Sequence, residues 1–372
     1  MVTSGRGRWR LQRVPAGGGG SGGAAQALRP TWQVLSLPKP LRIYSITVNG
    51  GGGSTRHIWT LMPLKTSLIP GSRYLLWAPC SWVPLFLLLL LSGQLHLVSC
   101  ATLRICAFNI QSFGEAKAKQ PEVMSVLVKV LARCDICVVQ EVRDSKGKAM
   151  SLLLRELNRA DPGHQYEALE SRRLGLGSYK EQNVFVYRAD VVSIMDSYQV
   201  PEAEPGQAES FLRGPFVARF SWPNSDLCNL VLISHHACPR NAAGEIDQLY
   251  RVVQDVKQHW NVEDVMLLGD LNAGCTFVPP EAWLGIRLWR HPAFHWLIGD
   301  QVDTTVSTKT HCAYDRIIVH GKALLQAVVP GSAKTFNFQQ ELGMSEEQAL
   351  QVSDHYPVEV CLQSTPQKHQ EL

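Results

Sequence analysis

The first 114 residues contain neither aspartate nor glutamate; the first acid is Glu115. Residues 1–101 hold ten of the 36 lysines and arginines. The formal charge of +4 therefore misleads, because residues 102–372 carry 26 basic and 32 acidic residues, a net charge of −6. That excludes polyanion binding argued from overall charge. Any contact with a nucleic acid must come from a local groove or from bound cations. A long apolar run is also lacking, since the strongly apolar stretch 83–91 is short for a membrane span. No Asn-x-Ser/Thr sequon occurs in 102–372, so no N-glycan is expected there.

What stands before residue 102 reads as a leader. Basic residues, a short apolar block and the small residues Ser99, Cys100 and Ala101 predict a secretory signal peptide over 62–101, with synthesis starting at Met62. Residues 1–61, with Gly runs at 17–20 and 50–53, then form a disordered extension read from an upstream start. The alternative is an uncleaved signal anchor with a basic cytoplasmic tail. The expected destination is extracellular, through the endoplasmic reticulum. The polar tail 364–372 ends in His369-Gln370-Glu371-Leu372, a loose relative of retrieval tetrapeptides.

The remainder has the composition of a globular protein, 45% hydrophobic and 18% charged over the whole chain. Its eight cysteines are Cys106, Cys134, Cys137, Cys228, Cys238, Cys275, Cys312 and Cys361. In a secreted chain some should pair, and spacing does not say which. Cys134 and Cys137, between a helical and a strand pattern, read as buried thiols rather than a metal or redox site.

Periodicity predicts strands at 103–108, 136–140, 183–188, 191–196, 216–221, 229–234, 264–269, 315–320 and 357–362. Helical spacing recurs over 123–131, 147–159 and 246–260. Hairpins mixed with crossover units indicate an α/β domain over 102–363 with more than one sheet.

Nearly every strand ends in polar residues. A lone strand-end acid is usually a turn or cap residue, and a lone histidine is more often structural than catalytic. The signal is the set, because loops at one edge gather into one cleft. Glu141, Asp270 and Asp354 are hard oxygen donors suited to Mg2+ or Mn2+. Asn109 and Asn272 add neutral oxygens. His236 and His355 are acid–base groups near neutral pH. Glu181 and Asp315 could each fix the tautomer of one imidazole. Two such pairs with a divalent cation suit in-line attack of water on a phosphodiester.

The stretches 108-FNIQSFG-114, 140-QEVRDS-145, 176-LGSYKE-181, 269-GDLNAGC-275, 312-CAYDRI-317 and 353-SDHYPVEV-360 resemble those of deoxyribonuclease I and its paralogues, in order and at fitting distances. The resemblance covers the whole predicted domain. It implies a four-layer α/β/β/α sandwich of two packed mixed sheets, and Ca2+/Mg2+-dependent endonucleolysis of double-stranded DNA to 5′-phosphate and 3′-hydroxyl ends. It implies Glu181 with His236 and Asp315 with His355 as catalytic pairs. It implies Asn109, Glu141, Asp270, Asn272 and Asp354 as metal and phosphate ligands, and Asp303 and Thr305 in a structural Ca2+ loop. Arg143, Tyr179, Arg213 and Tyr314 match DNA-contacting positions, and Cys275 with Cys312 the family's main disulfide. A monomer is expected; the actin-binding surface of one branch, near 166–173, is too divergent to carry over.

Some positions depart from that pattern. Gly274 replaces a common acid, Gln111 an arginine or other polar residue, and His235 an apolar residue. Leu176 and Gly177 stand at minor-groove contacts, and Gly214 interrupts an Arg-Glu-Pro. These imply an active nuclease with a weaker grip on duplex. The competing readings are another phosphodiesterase or phosphatase of the superfamily, and a non-catalytic binding protein on the same scaffold.

Overall fold

The computed structural model describes residues 102–364 except 176, 203–210, 224, 226 and 228, together with the backbone of three strands nearer the N-terminus. Those strands, β1 (Trp32–Leu35), β2 (Ile43–Gly50) and β3 (Ser54–Leu61), form an antiparallel sheet. Part of the extension expected as disordered is thus paired. Residues 51–53 are three glycines, and the runs on either side are rich in β-branched and aromatic residues, which favours a hairpin. The predicted signal peptide over 62–101 and the HQEL terminus lie outside the described residues.

The second unit holds β4 (Thr102–Phe113), β5 (Ile136–Val142), β6 (Tyr166–Glu170), β7 (Gln182–Arg188), β8 (Ser193–Gln199) and β9 (Phe216–Ser221). It continues through β10 (Asn229–Ser234), β11 (Val265–Asp270), β12 (Phe294–Trp296), β13 (Asp315–His320), β14 (Lys334–Thr335) and β15 (Val358–Gln363). One sheet runs β14-β15-β4-β5-β7-β6, the other β12-β13-β11-β10-β9-β8. Both are mixed: β4–β5 and β10–β11 are parallel, the other pairs antiparallel.

Period-2 alternation assigns each face of each strand to a different layer. In β4, Ile105 and Ala107 join the core between the sheets, with Val138, Phe185, Leu232 and Leu268. Cys106, Phe108 and Ile110 point outward, against α1 (Pro121–Leu131) and α2 (Lys148–Ala160). On the second sheet Val231, Ile233, Val265 and Leu267 face away from the first, under the apolar stripe of α3 (Ala242–Trp260). The layers are therefore α/β/β/α, as the resemblance implies. Sequence patterning missed the short strands β6, β12 and β14. Only Tyr166 of β6 is buried, so no alternation marks it, and β14 has two residues. Among the described residues no helix is long and apolar enough to cross a membrane.

Among the described residues two disulfides close the domain. Cys275–Cys312 forms as the resemblance implies. Cys106–Cys134 corrects the reading of Cys134 as a buried thiol; only Cys137 keeps that state. The outward face of β4 presents Cys106 to the chain leaving α1, whose last turn brings Cys134 to a Cα separation of 6.1 Å. Cys137, in β5 opposite Cys106, lies one helix-to-strand turn further on.

Gly214 also has a structural reason. A Cβ there would meet the Val200 carbonyl oxygen at 1.9 Å and its carbon at 2.9 Å. The chain after β8 crosses directly over this position, fastened by Gln199 Nε2 donating to Gly214 O at 2.6 Å.

Two measurements check these points. Cys106→Ala/Cys134→Ala should unfold at lower denaturant, a loss of about 3–4 kcal/mol for a loop of this length. Gly214→Glu, which restores the family residue, should lower the melting temperature, with overpacking costing about 1–3 kcal/mol.

Candidate active site

The polar ends of antiparallel and parallel neighbours collect along one edge of the sandwich. Asn109 stands in β4 just before its register shift, Glu141 is next to last in β5, Asp270 closes β11, and Asp315 opens β13 opposite Asp270. Glu181 precedes β7, His236 follows β10, and Asp354 and His355 precede β15. Together they surround a cleft of about 410 Å³ lined by Glu141, His236, Asp270, Asn272, Tyr314, Asp354 and His355, with Phe277 and Thr305.

Two carboxylate–imidazole pairs face each other across it. His236 Nδ1 lies 2.6 Å from Glu181 Oε1, and His355 Nδ1 lies 2.7 Å from Asp315 Oδ2. With Nδ1 engaged, each imidazole aims Nε2 inward, at 3.5 and 3.6 Å from the same oxygen, Asp270 Oδ2. Burial opposes charge on both rings. Glu181 nevertheless holds His236 above the ordinary histidine value, and Asp315 with Asp270 holds His355 well above it. Asp270, Asp315 and His355 also bring ligand atoms within 4.8 Å of one another. Asp315 is wholly buried and committed to His355, so the trio is better read as an acid–base pair facing a carboxylate.

The acidic wall is arranged differently. Asn109 Nδ2 donates to Glu141 Oε1 at 3.1 Å and to Asp270 Oδ2 at 3.0 Å. Ser112 N donates to Glu141 Oε2 at 2.8 Å. Asn272 N returns to Asp270 Oδ1 at 2.9 Å, and Asn272 Nδ2 donates to Ala237 O at 3.0 Å. Asp354 Oδ1 is buried without a hydrogen-bond partner. The backbone here is strained: Gln111, Ser112, Glu141, Asn272 and Cys275 have φ of 46°, 54°, 58°, 48° and 49°. Left-handed non-glycine residues are uncommon and gather at functional sites.

The other expected residues divide. Arg143 stacks 3.9 Å over the half-exposed ring of Tyr179 and donates to Ser112 Oγ at 3.3 Å, on the rim. Tyr314 lies 6.1 Å from His355, ring to ring. Arg213, expected at the DNA, is buried; its Nε sits 3.2 Å from Glu181 Oε1 and donates to His236 O at 3.1 Å. Asp303 and Thr305 meet beside the cleft, Thr305 Oγ1 donating at 2.7 Å to Asp303 Oδ1, while His311 Nδ1 takes Asp303 Oδ2 at 2.8 Å.

Several supporting residues escaped the sequence. Gln140, fully buried, donates from Nε2 to His235 O and accepts from Asp270 N, both at 2.7 Å. Lys117 Nζ donates to Ile110 O at 2.9 Å and Gln111 O at 2.7 Å, beneath the strained turn. Burial lowers this amine to about 8. Ser353 Oγ ties Asn109 O, at 2.6 Å, to His355 N, at 3.0 Å. His235, at the usually apolar position, donates through Nε2 to Glu245 at 3.0 Å, which also accepts from Leu212 N and Cys238 N. The signal for Gln140 was a polar residue inside an apolar strand, and for His235 its departure from an apolar position; Lys117 and Ser353 carried none.

Similar proteins place this arrangement in context. The endonuclease/exonuclease/phosphatase family matches residues 106–355. Deoxyribonuclease-1 of Sus scrofa is 49% identical over 276 residues, covering 74% of this chain and 96% of its own. Deoxyribonuclease gamma of Homo sapiens is 45% identical over 283 residues, covering 76% of this chain and 91% of its own. Among solved structures, an endonuclease/exonuclease/phosphatase family protein from Leptotrichia buccalis C-1013-b aligns with a TM-score of 0.50 at 16% identity. It covers 69% of this chain and 98% of its own, a likeness of fold. The matched span carries both imidazole pairs and the acidic wall, and the chain belongs to the endonuclease/exonuclease/phosphatase family, in its deoxyribonuclease I-like branch.

Proposed function

We propose that the chain is a secreted endonuclease that hydrolyses DNA phosphodiester bonds to 5′-phosphate and 3′-hydroxyl ends with a divalent cation. The observation that carries this is the convergence of two Nε2 atoms on one oxygen of Asp270, each imidazole backed by a buried carboxylate. A phosphate bound beside that oxygen would have one proton acceptor and one donor within reach. His355, the more strongly held as imidazolium, suits the donor to the leaving 3′ oxygen. His236 then takes the proton from the attacking water, and Glu181 stabilises the cation that forms. Arg213 keeps Glu181 and the His236 carbonyl in register.

The donor set fits a hard cation. Glu141, Asp270 and Asp354 supply carboxylates and Asn109 and Asn272 amide oxygens; Asp354 Oδ1 has no hydrogen-bond partner and lies 3.9 Å from His355 Nε2, so it is available as a ligand. Mg2+ or Mn2+ held there would polarise the phosphoryl oxygens and neutralise developing charge. Asp303 and Thr305 would contribute to a structural Ca2+ loop. Arg143 on Tyr179, and Tyr314, would touch the DNA backbone. Two disulfides favour an oxidising compartment.

Nicking of supercoiled plasmid by the purified protein should need Mg2+ with Ca2+ and should stop with chelator. His236→Ala or His355→Ala should each slow it by roughly a hundredfold or more; a wild-type rate in either variant refutes that residue's role. Gln140→Leu strands His235 O and Asp270 N. It should lower stability by about 2–5 kcal/mol, read by denaturant melts, and should reduce kcat as well.

A further inference from the structure

The domain is net acidic, yet residues 143–159 carry five cations, Arg143, Lys146, Lys148, Arg155 and Arg159, against Asp144 and Glu156. Both of these acids are already engaged. Asp144 is buried, and its Oδ2 accepts from Met150 N at 3.0 Å and from Ala149 N at the start of α2. Glu156 sits 2.6 Å from Arg159 and 3.6 Å from Arg155. The neighbouring Glu115 bonds Lys119 at 2.8 Å. Lys119 first, then Lys148 and Lys146, hold its carboxyl below the usual range. Lys146 and Lys148 are exposed at the mouth of a depression of about 360 Å³, which Lys119 and Arg155 also line.

This surface continues from the cleft. Arg143 N donates to Phe113 O at 2.7 Å, so the loop that carries both lysines starts at the end of β4, beside the acidic wall. Its guanidinium stands on Tyr179 at the rim. Lys146 follows three residues later, at most ~11 Å of backbone away. That distance is roughly three nucleotide steps along one strand.

We propose that this surface is a second contact for the DNA backbone, with Lys146 and Lys148 gripping phosphates of the duplex beyond the stretch that the cleft holds. The inference rests on DNA being the substrate. It supplies grip that Leu176 and Gly177 do not provide at the minor-groove positions. It is also the local groove that a net-acidic domain requires for a polyanion.

Steady-state cleavage of long duplex by the full chain, over about 50–200 mM salt at fixed divalent concentration, tests it. Each phosphate contact contributes a salt slope of about 0.9, so losing two makes KM about tenfold less salt-sensitive over that range. Lys146→Ala/Lys148→Ala should show that loss with a raised KM at low salt and an unchanged kcat. Lys146→Arg/Lys148→Arg should behave as wild type, and so should Lys322→Ala/Lys334→Ala, which removes the same charge elsewhere. A duplex too short to leave the cleft should not distinguish the variants. An unchanged salt slope in the alanine pair overturns the proposal. So does an equal loss in the Lys322/Lys334 pair, or the same loss on the short duplex. A wild-type chain that cuts no DNA at any salt overturns the substrate reading instead.

Discussion

The two six-stranded sheets meet at the site edge through the side-chain amide of Gln140. It leaves β5, crosses the interface, donates to the carbonyl that precedes His236 and accepts from the backbone N–H of Asp270. Gly269, at φ +133°, makes this possible, because a Cβ there would meet the Gln140 amide nitrogen at 2.5 Å. Asn109 repeats the crossing from β4 to Asp270. A buried amide without partners is costly. The relative slide of the sheets is therefore set by polar satisfaction as well as by the apolar core, and the imidazoles inherit their spacing from it.

The two imidazole pairs are supported unequally. His355 is held from below by Ser353 and from the side by Asp315, both within a short stretch of core strand edge. His236 stands on a loop. Its carboxylate partner is shared with Arg213, and Glu245 gathers Leu212 N, Cys238 N and His235 under that loop. The His235–Glu245 pair is a third carboxylate–imidazole couple, wholly buried and outside the cleft. Burial lowers His235 below the ordinary value, which suits a neutral ring with a bracing role.

Much of the architecture was legible because strands buried on both faces read as continuous apolar runs, as in β4, β10 and β11, and the covering helices show helical spacing. The two carboxylate–imidazole pairs were legible as a set of polar strand ends, and the family motifs assigned partners within it. What stayed hidden depends on distance between chain segments: Gln140 reaching across sheets, Lys117 under a turn, Cys106 meeting Cys134. Arg213 was named, but its burial against Glu181 was not, since an arginine's sequence position does not reveal which way its guanidinium turns. Gly214 was visible only as a departure. The carbonyl of Val200 beside it shows that this path of the chain admits no side chain there. Gly274 is less constrained than Gly214, but a Cβ there would still stand a tight 3.2 Å from the Ala313 carbonyl oxygen, which must shift to admit a side chain.

The left-handed residues around the acidic wall bear on which sequences this scaffold tolerates. Glycine at Gln111, Ser112 or Glu141 would relieve a conformation worth about 1–3 kcal/mol per residue. The most stable version of the domain is thus not the sequence observed. Selection for thermal robustness alone would drift toward glycine at these positions and lose Glu141. A stabilised form of this protein should be sought in α1, α2 and the far loops, with the rim of the sandwich left as it is.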